Sequence, residues 1–315
     1  GFIGANLVEA LLKLSQVTVC DWFGQDDKWK NLRHCAVDRF IFPEQLADFL
    51  DESGSSIAAV VHMGAISSTT ERDVDLIIRS NVQLSRTLWQ FCARRSIPFI
   101  YASSAATYGD GALGFDDRTD PDYLRSLRPL NPYGWSKLAF DDQVLASVAR
   151  GEPKPSNWAG LKFFNVYGPR ERHKGAMRSV MTANFERVRD GETLRLFKSD
   201  RADYYDGGQQ RDFVYVGDCV AVIEWMLEHS FPSDLYNIGT GQAQSWLDAG
   251  RAMFAALDQE PRIEFINMPA NLVGRYQYFT EANIAKLRSI GAPVPGTDLL
   301  AGVSQTYKYL AAEAL

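Results

Sequence analysis

Apolar residues recur at helical spacing through Asn6-Leu-Val-Glu-Ala-Leu-Leu-Lys13, directly after Gly1-Phe-Ile-Gly4. The next apolar run, Val17-Thr-Val-Cys20, is strand-like and ends in Asp21. A short run around Phe40 and a helical pattern from Glu44 to Glu52 make a further strand and helix step. Ile57-Ala-Ala-Val-Val-His-Met63 does not alternate, which predicts a parallel strand covered on both faces. Pro98 to Ser104 and Leu161 to Asn165 read the same way, and a helical pattern spans about Val74 to Arg95. Past Tyr167 the character changes. Helical stretches near Met177 to Arg189 and a strand at Thr193 to Phe197 lead into a Gly/Asp/Tyr-rich flap from Lys198 to Gln210. A helix at Val220 to His229, a strand and turn at Leu235 to Gly241 and a strand at Arg262 to Ile266 follow.

The pattern predicts an α/β protein with a Rossmann-type doubly wound parallel sheet, formed by residues 1–167 with about 212–240. Residues 168–211 with 241–315 predict a smaller C-terminal α/β lobe that binds substrate over the carboxyl edge of the sheet. A GxxG entering a helix normally follows a strand and an earlier glycine. Gly1 to Gly4 therefore reads as the tail of a GxxGxxG phosphate loop, with the first strand outside this sequence. A chain that truly lacked that strand is expected to fold badly.

Composition narrows the class. A chain of 315 residues is long enough for two lobes and a large core. It carries 33 basic against 39 acidic residues, net −6, without a basic block, so there is no electrostatic footprint for nucleic acid. A small neutral or phosphorylated molecule fits better. Cys20, Cys35, Cys92 and Cys219 are scattered, with no CxxC pair and no histidine at metal-ligand spacing, which predicts no metal site and reduced, mostly buried thiols. No apolar run reaches the roughly 18 residues of a membrane span, and the expected setting is the cytoplasm.

The candidate chemistry centres on Asn131-Pro-Tyr-Gly-Trp-Ser-Lys137. Tyr133 and Lys137 share a helix face. A free tyrosine titrates near about 10, but an ammonium within reach, joined by a bound nicotinamide, would stabilise its phenolate and make it a base. Ser104 ends one strand and is expected to converge on Tyr133 and orient the reacting oxygen, although on position alone it reads equally as a turn serine capping a loop. Gly64-Ala-Ile-Ser-Ser68 ends another strand in small residues that let a cofactor approach, and Asn81 either faces those strand ends or is solvated. Asp21 stands where a dinucleotide fold keeps its ribose-binding carboxylate. His62 reads as a packed strand-end residue, and the long polar segment Gly109 to Arg128 is left without a role.

Four motifs in order, Gly1 to Gly4, Ser103-Ser-Ala-Ala-Thr-Tyr-Gly109, Tyr133 to Lys137 and Arg211-Asp-Phe-Val-Tyr-Val-Gly-Asp218, resemble the extended short-chain dehydrogenase/reductase family of sugar-nucleotide epimerases and dehydratases. The dehydratases carry an Asp-Glu pair after the serine position where this chain has Ala105-Ala106, so dehydration lacks its acid and base. The strings His62 to Glu71, Tyr101 to Gly109, Phe164 to Gly175 and residues 274–280 are similar to the ADP-heptose 6-epimerases of that family.

That resemblance implies a cofactor, NADP with NAD as the alternative, an ADP-sugar substrate and a homo-oligomer, the family suggesting a homopentamer. It implies Tyr133 and Lys174 as two acid/base groups, with Ser104 and Lys137 supporting them. Gly1, Phe2, Ile3, Gly4, Asp21, Trp22, Lys28, Gly64, Ala65, Ile66, Ser67, Ser68, Asn81, Lys137, Val166 and Lys174 are then expected at the cofactor. Ser104, Asn165, Phe197, Lys198, Ser199, Asp200, Arg211 and Tyr276 are expected at the substrate, Arg211 suiting a diphosphate by its bidentate fork. Ala176, Ala183 and the longer flap from Arg201 to Gln210 depart from the family pattern. The implied reaction inverts C6 of a heptose in lipopolysaccharide core synthesis by oxidation to an aldehyde, rotation and hydride return. A UDP-hexose 4-epimerase shares Ser104, Tyr133 and Lys137 but needs no second base, and a non-catalytic NAD(P)-binding protein would keep only the fold.

Overall fold

A computed structural model describes the whole chain except residues 271, 272, 274, 275, 314 and 315, so the first two positions of the 274–280 string lie outside the described residues. Strands β1 (Thr18–Cys20), β2 (Arg39–Ile41), β3 (Val60–His62), β4 (Phe99–Ser104) and β5 (Trp158–Phe163) alternate with helices. They are followed by β6 (Asn165–Tyr167), β7 (Leu194–Phe197), β8 (Gln210–Arg211), β9 (Phe213–Tyr215), β10 (Asp234–Ile238), β11 (Gln244–Ser245) and β12 (Ile263–Ile266). The main sheet is parallel with the order β10-β5-β4-β3, while β1 and β2 pair in parallel with each other alone. Three smaller pairings, β6 with β9, β7 with β12 and β8 with β11, build the other half of the chain.

The main sheet is covered on both faces, which is why its strands read as unbroken apolar runs. One face packs Ile100, Leu161 and Ile238 against Leu7 of the helix Phe2–Leu11 and Val222 and Ile223 of the helix Val216–Glu228. The other packs Phe99, Tyr101 and Trp158 against Leu88, Phe91 and Cys92 of the helix Leu84–Arg95 and Phe140 and Val144 of the helix Pro132–Ala149. A further core gathers Tyr167, Met181, Phe185, Leu194, Leu196, Phe254, Val303 and Tyr307. The segment from Gly109 to Arg128 is no loose loop. A helix at Pro121–Ser126, capped by Asp120, buries Tyr123 and Leu124 beside Phe115, Tyr108 and Phe164.

All four cysteines are free. Cys92 and Cys219 are buried, Cys35 is half-buried and Cys20 is exposed. Among the described residues, no helix is long and apolar enough to cross a membrane and no cluster of metal-ligating side chains occurs.

The helix Pro132–Ala149 starts where Pro132 presets its first turn and the Asn131 side chain accepts the Gly134 N–H at 2.9 Å. Gly134 is there because a Cβ would stand 2.6 Å from the Ala106 carbonyl, so only glycine lets the helix sit against the end of β4. Two turns on, Asp141 is wholly buried and accepts from Tyr101 Oη at 2.9 Å, Ser103 Oγ at 2.7 Å and Lys162 Nζ at 2.6 Å. Lys162, equally buried on β5, also reaches Thr107 Oγ1 at 2.9 Å. Removing one charge of such a pair strands the other in an apolar interior. Lys162→Met is therefore expected to cost about 3–5 kcal/mol in denaturant melts, and the double variant with Asp141→Asn to recover most of that. Equal stability of the single variant and the parent would contradict this.

Candidate active site

Tyr133, Lys137 and Asp141 follow one another at helical spacing on the face turned to the sheet. Ser104, at the end of β4, lies beside the Tyr133 hydroxyl and its Oγ also accepts the Ala106 N–H at 3.1 Å. Both roles foreseen for Ser104 are thus compatible. Tyr133 departs from the simple expectation: burial pushes its phenol above the usual value, the Ser104 hydrogen bond offsets part of this, and Asp141 adds to the rise. Lys137 does not reverse it. This lysine is itself buried, which lowers its pKa to about 8 against the opposing influence of Asp141, and no hydrogen bond joins it to Tyr133 among the described residues.

Lys137 makes no hydrogen bond to any described residue. A buried ammonium without acceptors is costly, and paired hydroxyls such as those of a cofactor ribose would satisfy it. Nearby elements suit the rest of a dinucleotide. The helix Phe2–Leu11 begins at Gly1 and directs its first N–H groups outward, the arrangement that binds phosphate. Gly4 packs beside the end of β3, where an added Cβ would make ordinary contact with Met63 Cβ at 3.7 Å. Past that strand end, Gly64 and Ser67 are exposed and Ala65, Ile66 and Ser68 half-buried. Asn81 settles its two readings: it is fully buried, accepting the Ile66 N–H at 2.8 Å and donating to Ile66 O and Ser136 Oγ, both at 3.0 Å. It can do so because the helix widens to π geometry over Ile78–Gln83.

Asp21 accepts from Lys28 Nζ at 2.7 Å. Burial would raise its carboxyl, and the Lys28 ammonium opposes that rise. Lys28 also donates to Trp22 O at 2.6 Å, while the Trp22 indole turns away to Glu44 at 2.9 Å. Val166 packs on the sheet core from β6. His62 is a packed residue, bonded to Ser85 Oγ at 3.0 Å and driven by burial to a pKa of about 3.

Lys174 lies in the helical turn Arg172–Met177, its ammonium 5.0 Å from the centre of the Phe2 ring and 3.7 Å from Glu171 Oε1. It therefore borders the start of the first helix, and no hydrogen bond links it to Tyr133 among the described residues.

Of the expected substrate residues, Phe197, Ser199, Asp200, Arg211 and Tyr276 gather elsewhere on the chain. Arg211 is buried under Tyr276 and Trp246, its guanidinium 5.2 and 5.7 Å from their ring centres. Burial lowers its pKa. Part of its fork is already used, on Gln210 O at 2.7 Å and Gln277 O. Phe197 meets Tyr276 edge to face at 6.1 Å. Tyr278 joins Ser199 Oγ at 3.3 Å, the Asp200 N–H at 2.9 Å and the Asp200 carboxylate. Lys198 is exposed, with its N–H given to Ile266 O at 2.8 Å. Asn165 accepts from Thr280 Oγ1 at 3.2 Å. Trp246, Gln277, Tyr278 and Thr280 went unnoticed in the sequence. Three of them adjoin Tyr276 in the 274–280 string, a usable signal, whereas Trp246 reaches Arg211 only because β11 pairs with β8.

Residues 1–239 match the NAD dependent epimerase/dehydratase family. The chain belongs to this family. Among relatives of the epimerase/dehydratase family, the chain is 44% identical to ADP-L-glycero-D-manno-heptose-6-epimerase of Nitratidesulfovibrio vulgaris strain Hildenborough, covering 99% of this chain and 96% of that one. Its fold is similar to the crystal structure of the Helicobacter pylori enzyme of the same name, with TM-score 0.79 and 24% identity over 99% of this chain and 94% of that one. It is also similar in fold to Bacillus cereus UDP-glucuronic acid 4-epimerase in complex with UDP-glucuronic acid and NAD, with TM-score 0.76 and 24% identity over 99% and 97% of the two chains.

A lysine whose folded pKa lies below its unfolded value disfavours the folded state while charged. Between the folded value of about 8 and the ordinary value of 10.5 the unfolded chain binds the extra proton, so stability rises with pH across that window. Lys137→Met is expected to stabilise the cofactor-free protein at pH 7 by on the order of 2 kcal/mol and to flatten that rise. Urea melts at several pH values would contradict this if the substitution destabilised the protein at pH 7.

Proposed function

We propose that this epimerase interconverts ADP-D-glycero- and ADP-L-glycero-D-manno-heptose at C6, in the cytoplasmic synthesis of lipopolysaccharide core precursors. The observation that carries the reading is the 44% identity over 99% of the chain with a heptose 6-epimerase, together with an intact Ser104, Tyr133 and Lys137. In this reading residues 1–167 with 212–240 hold the dinucleotide, and residues 168–211 with 241–315 hold the ADP-sugar; the core around Phe185 and Tyr307 supports a second unit, while Leu287 and Ala292 pack with the main sheet. Assembly as a homopentamer belongs to the same reading.

Bound NADP supplies the hydride acceptor and donor. Gly1 to Gly4, Gly64 to Ser68, Asn81, Lys137 and Val166 would hold it, with Lys137 giving its buried ammonium to ribose hydroxyls. Tyr133 takes the proton of the C6 hydroxyl as that carbon becomes an aldehyde, and Ser104 orients the oxygen. Burial that raises the Tyr133 phenol in the chain alone is opposed, in the loaded site, by the positive charge of the oxidised nicotinamide. The aldehyde turns about its single bond and presents its other face. Its oxygen now points elsewhere, and Lys174 serves as the second proton-transfer group. Phe197, Tyr276 and Arg211 receive the nucleotide part, Arg211 with the portion of its fork not spent on carbonyl groups.

For the cofactor, Lys28 favours NADP. Its ammonium already neutralises Asp21 at 2.7 Å, which would otherwise repel a 2′-phosphate. Titration is expected to give tighter NADP than NAD binding, with Lys28→Ala weakening NADP by about tenfold. An equal loss for both cofactors would remove Lys28 from phosphate recognition.

For the chemistry, Tyr133→Phe and Lys174→Met are each expected to lower epimerisation about 100-fold or more while cofactor binding persists. Lys137→Ala should weaken the cofactor too. Resolving the two epimers by chromatography decides the matter: near-parental turnover by Lys174→Met would favour a single-base 4-epimerase.

A further inference from the structure

Glu171 has no exposed surface, yet only one of its carboxylate oxygens is hydrogen-bonded. Oε2 accepts the Ser179 N–H at 2.8 Å, just ahead of the helix Val180–Ala183. Oε1 has no hydrogen bond; the Lys174 ammonium stands 3.7 Å from it, the Ser179 and Thr182 side chains also lie beside the carboxyl, and burial outweighs these groups and holds its pKa above the usual value. Residues three apart eclipse in a tight 3-10 turn, so the turn that carries Lys174 sets the two side chains on one side. The Lys174 N–H also bonds Glu171 O at 2.9 Å, which fixes their backbones relative to each other.

A glutamine would still accept the Ser179 N–H, though less strongly than a carboxylate. A single N–H does not offset the cost of burying a full charge, and an unpaired buried carboxylate is costly. Lys174 is the cation that makes the charge tolerable, and in return the carboxylate restrains a long flexible amine beside Phe2 at the start of the first helix. We infer that Glu171 is a positioning residue for Lys174, aiming its ammonium across the cofactor-binding helix start toward the reacting aldehyde. The inference rests on the reading of Lys174 as the second acid/base.

The test is a double-mutant cycle on the cofactor-loaded enzyme with the ADP-heptose epimers. Glu171→Gln keeps the acceptor for Ser179 and removes the charge. It is expected to lower kcat about tenfold, with KM for the sugar nucleotide and the melting temperature little changed. In the Lys174→Met background the same substitution should lower the residual rate no further. Glu171→Asp, which keeps the charge but withdraws it, should lie between parent and Glu171→Gln and carries the test if the glutamine variant does not fold. An unchanged kcat for Glu171→Gln, or an equal loss in both backgrounds, overturns the inference while leaving Lys174 its role. Near-parental turnover by Lys174→Met overturns the two-base reading, and this inference with it.

Discussion

Burying charge on one helix is the constraint on which this structure turns. The helix Pro132–Ala149 lays Tyr133, Lys137 and Asp141 against the sheet in successive turns. Only Asp141 is fully answered by protein: two hydroxyls and the Lys162 ammonium surround it, so the helix is fixed by a satisfied network rather than by shape alone. Ser103 and Ser104 divide the labour at the end of β4, one holding the anchor and the other facing Tyr133. The register of the helix on the sheet, and with it the position of the phenol, follows from that anchor.

Nearer the carboxyl end of the sheet the balance is left incomplete. Burial raises the Tyr133 phenol and lowers Lys137 to a pKa of about 8, so the chain alone opposes the charge states that chemistry needs. Such a site stores an unmet demand for a partner carrying hydroxyl groups and positive charge, which an oxidised nicotinamide dinucleotide provides. Asp21 follows the opposite course, its charge met in advance by Lys28. The two ends of the proposed cofactor groove therefore differ in kind: Lys137 has no partner among the described residues, and Asp21 is already paired with Lys28.

Much of this was legible in the sequence because it rests on local patterns. The apolar run at Ile57 to Met63 did yield a parallel strand, but only over Val60–His62, at the edge of the sheet and half-buried apart from His62, while the spacing of Tyr133 and Lys137 followed from helical periodicity. Asn81 stood among polar residues of a helical stretch, and its burial depends on a π-helical widening that no periodicity announces. The segment from Gly109 to Arg128 looked like a polar loop because its buried residues, Phe115, Tyr123, Leu124 and Leu127, have no regular period and pack onto Phe164 far away in the chain. Trp246 and the carbonyl groups that engage Arg211 were invisible for the same reason, being brought there by strand pairing and chain reversal. The rise of the Tyr133 phenol in the chain alone was not legible, because it comes from Tyr133 and Lys137 losing water together, which their spacing does not announce.

Hydride return to the carbon it left is the central claim, and isotope retention tests it most directly. ADP-D-glycero-D-manno-heptose carrying deuterium at C6 would be incubated with the cofactor-loaded protein and the epimers separated for mass and NMR analysis. The account predicts inverted product with the deuterium still on C6 and none exchanged with water. Inverted product that had lost its deuterium to solvent would mean inversion by proton removal, and would contradict the oxidation and return of a hydride.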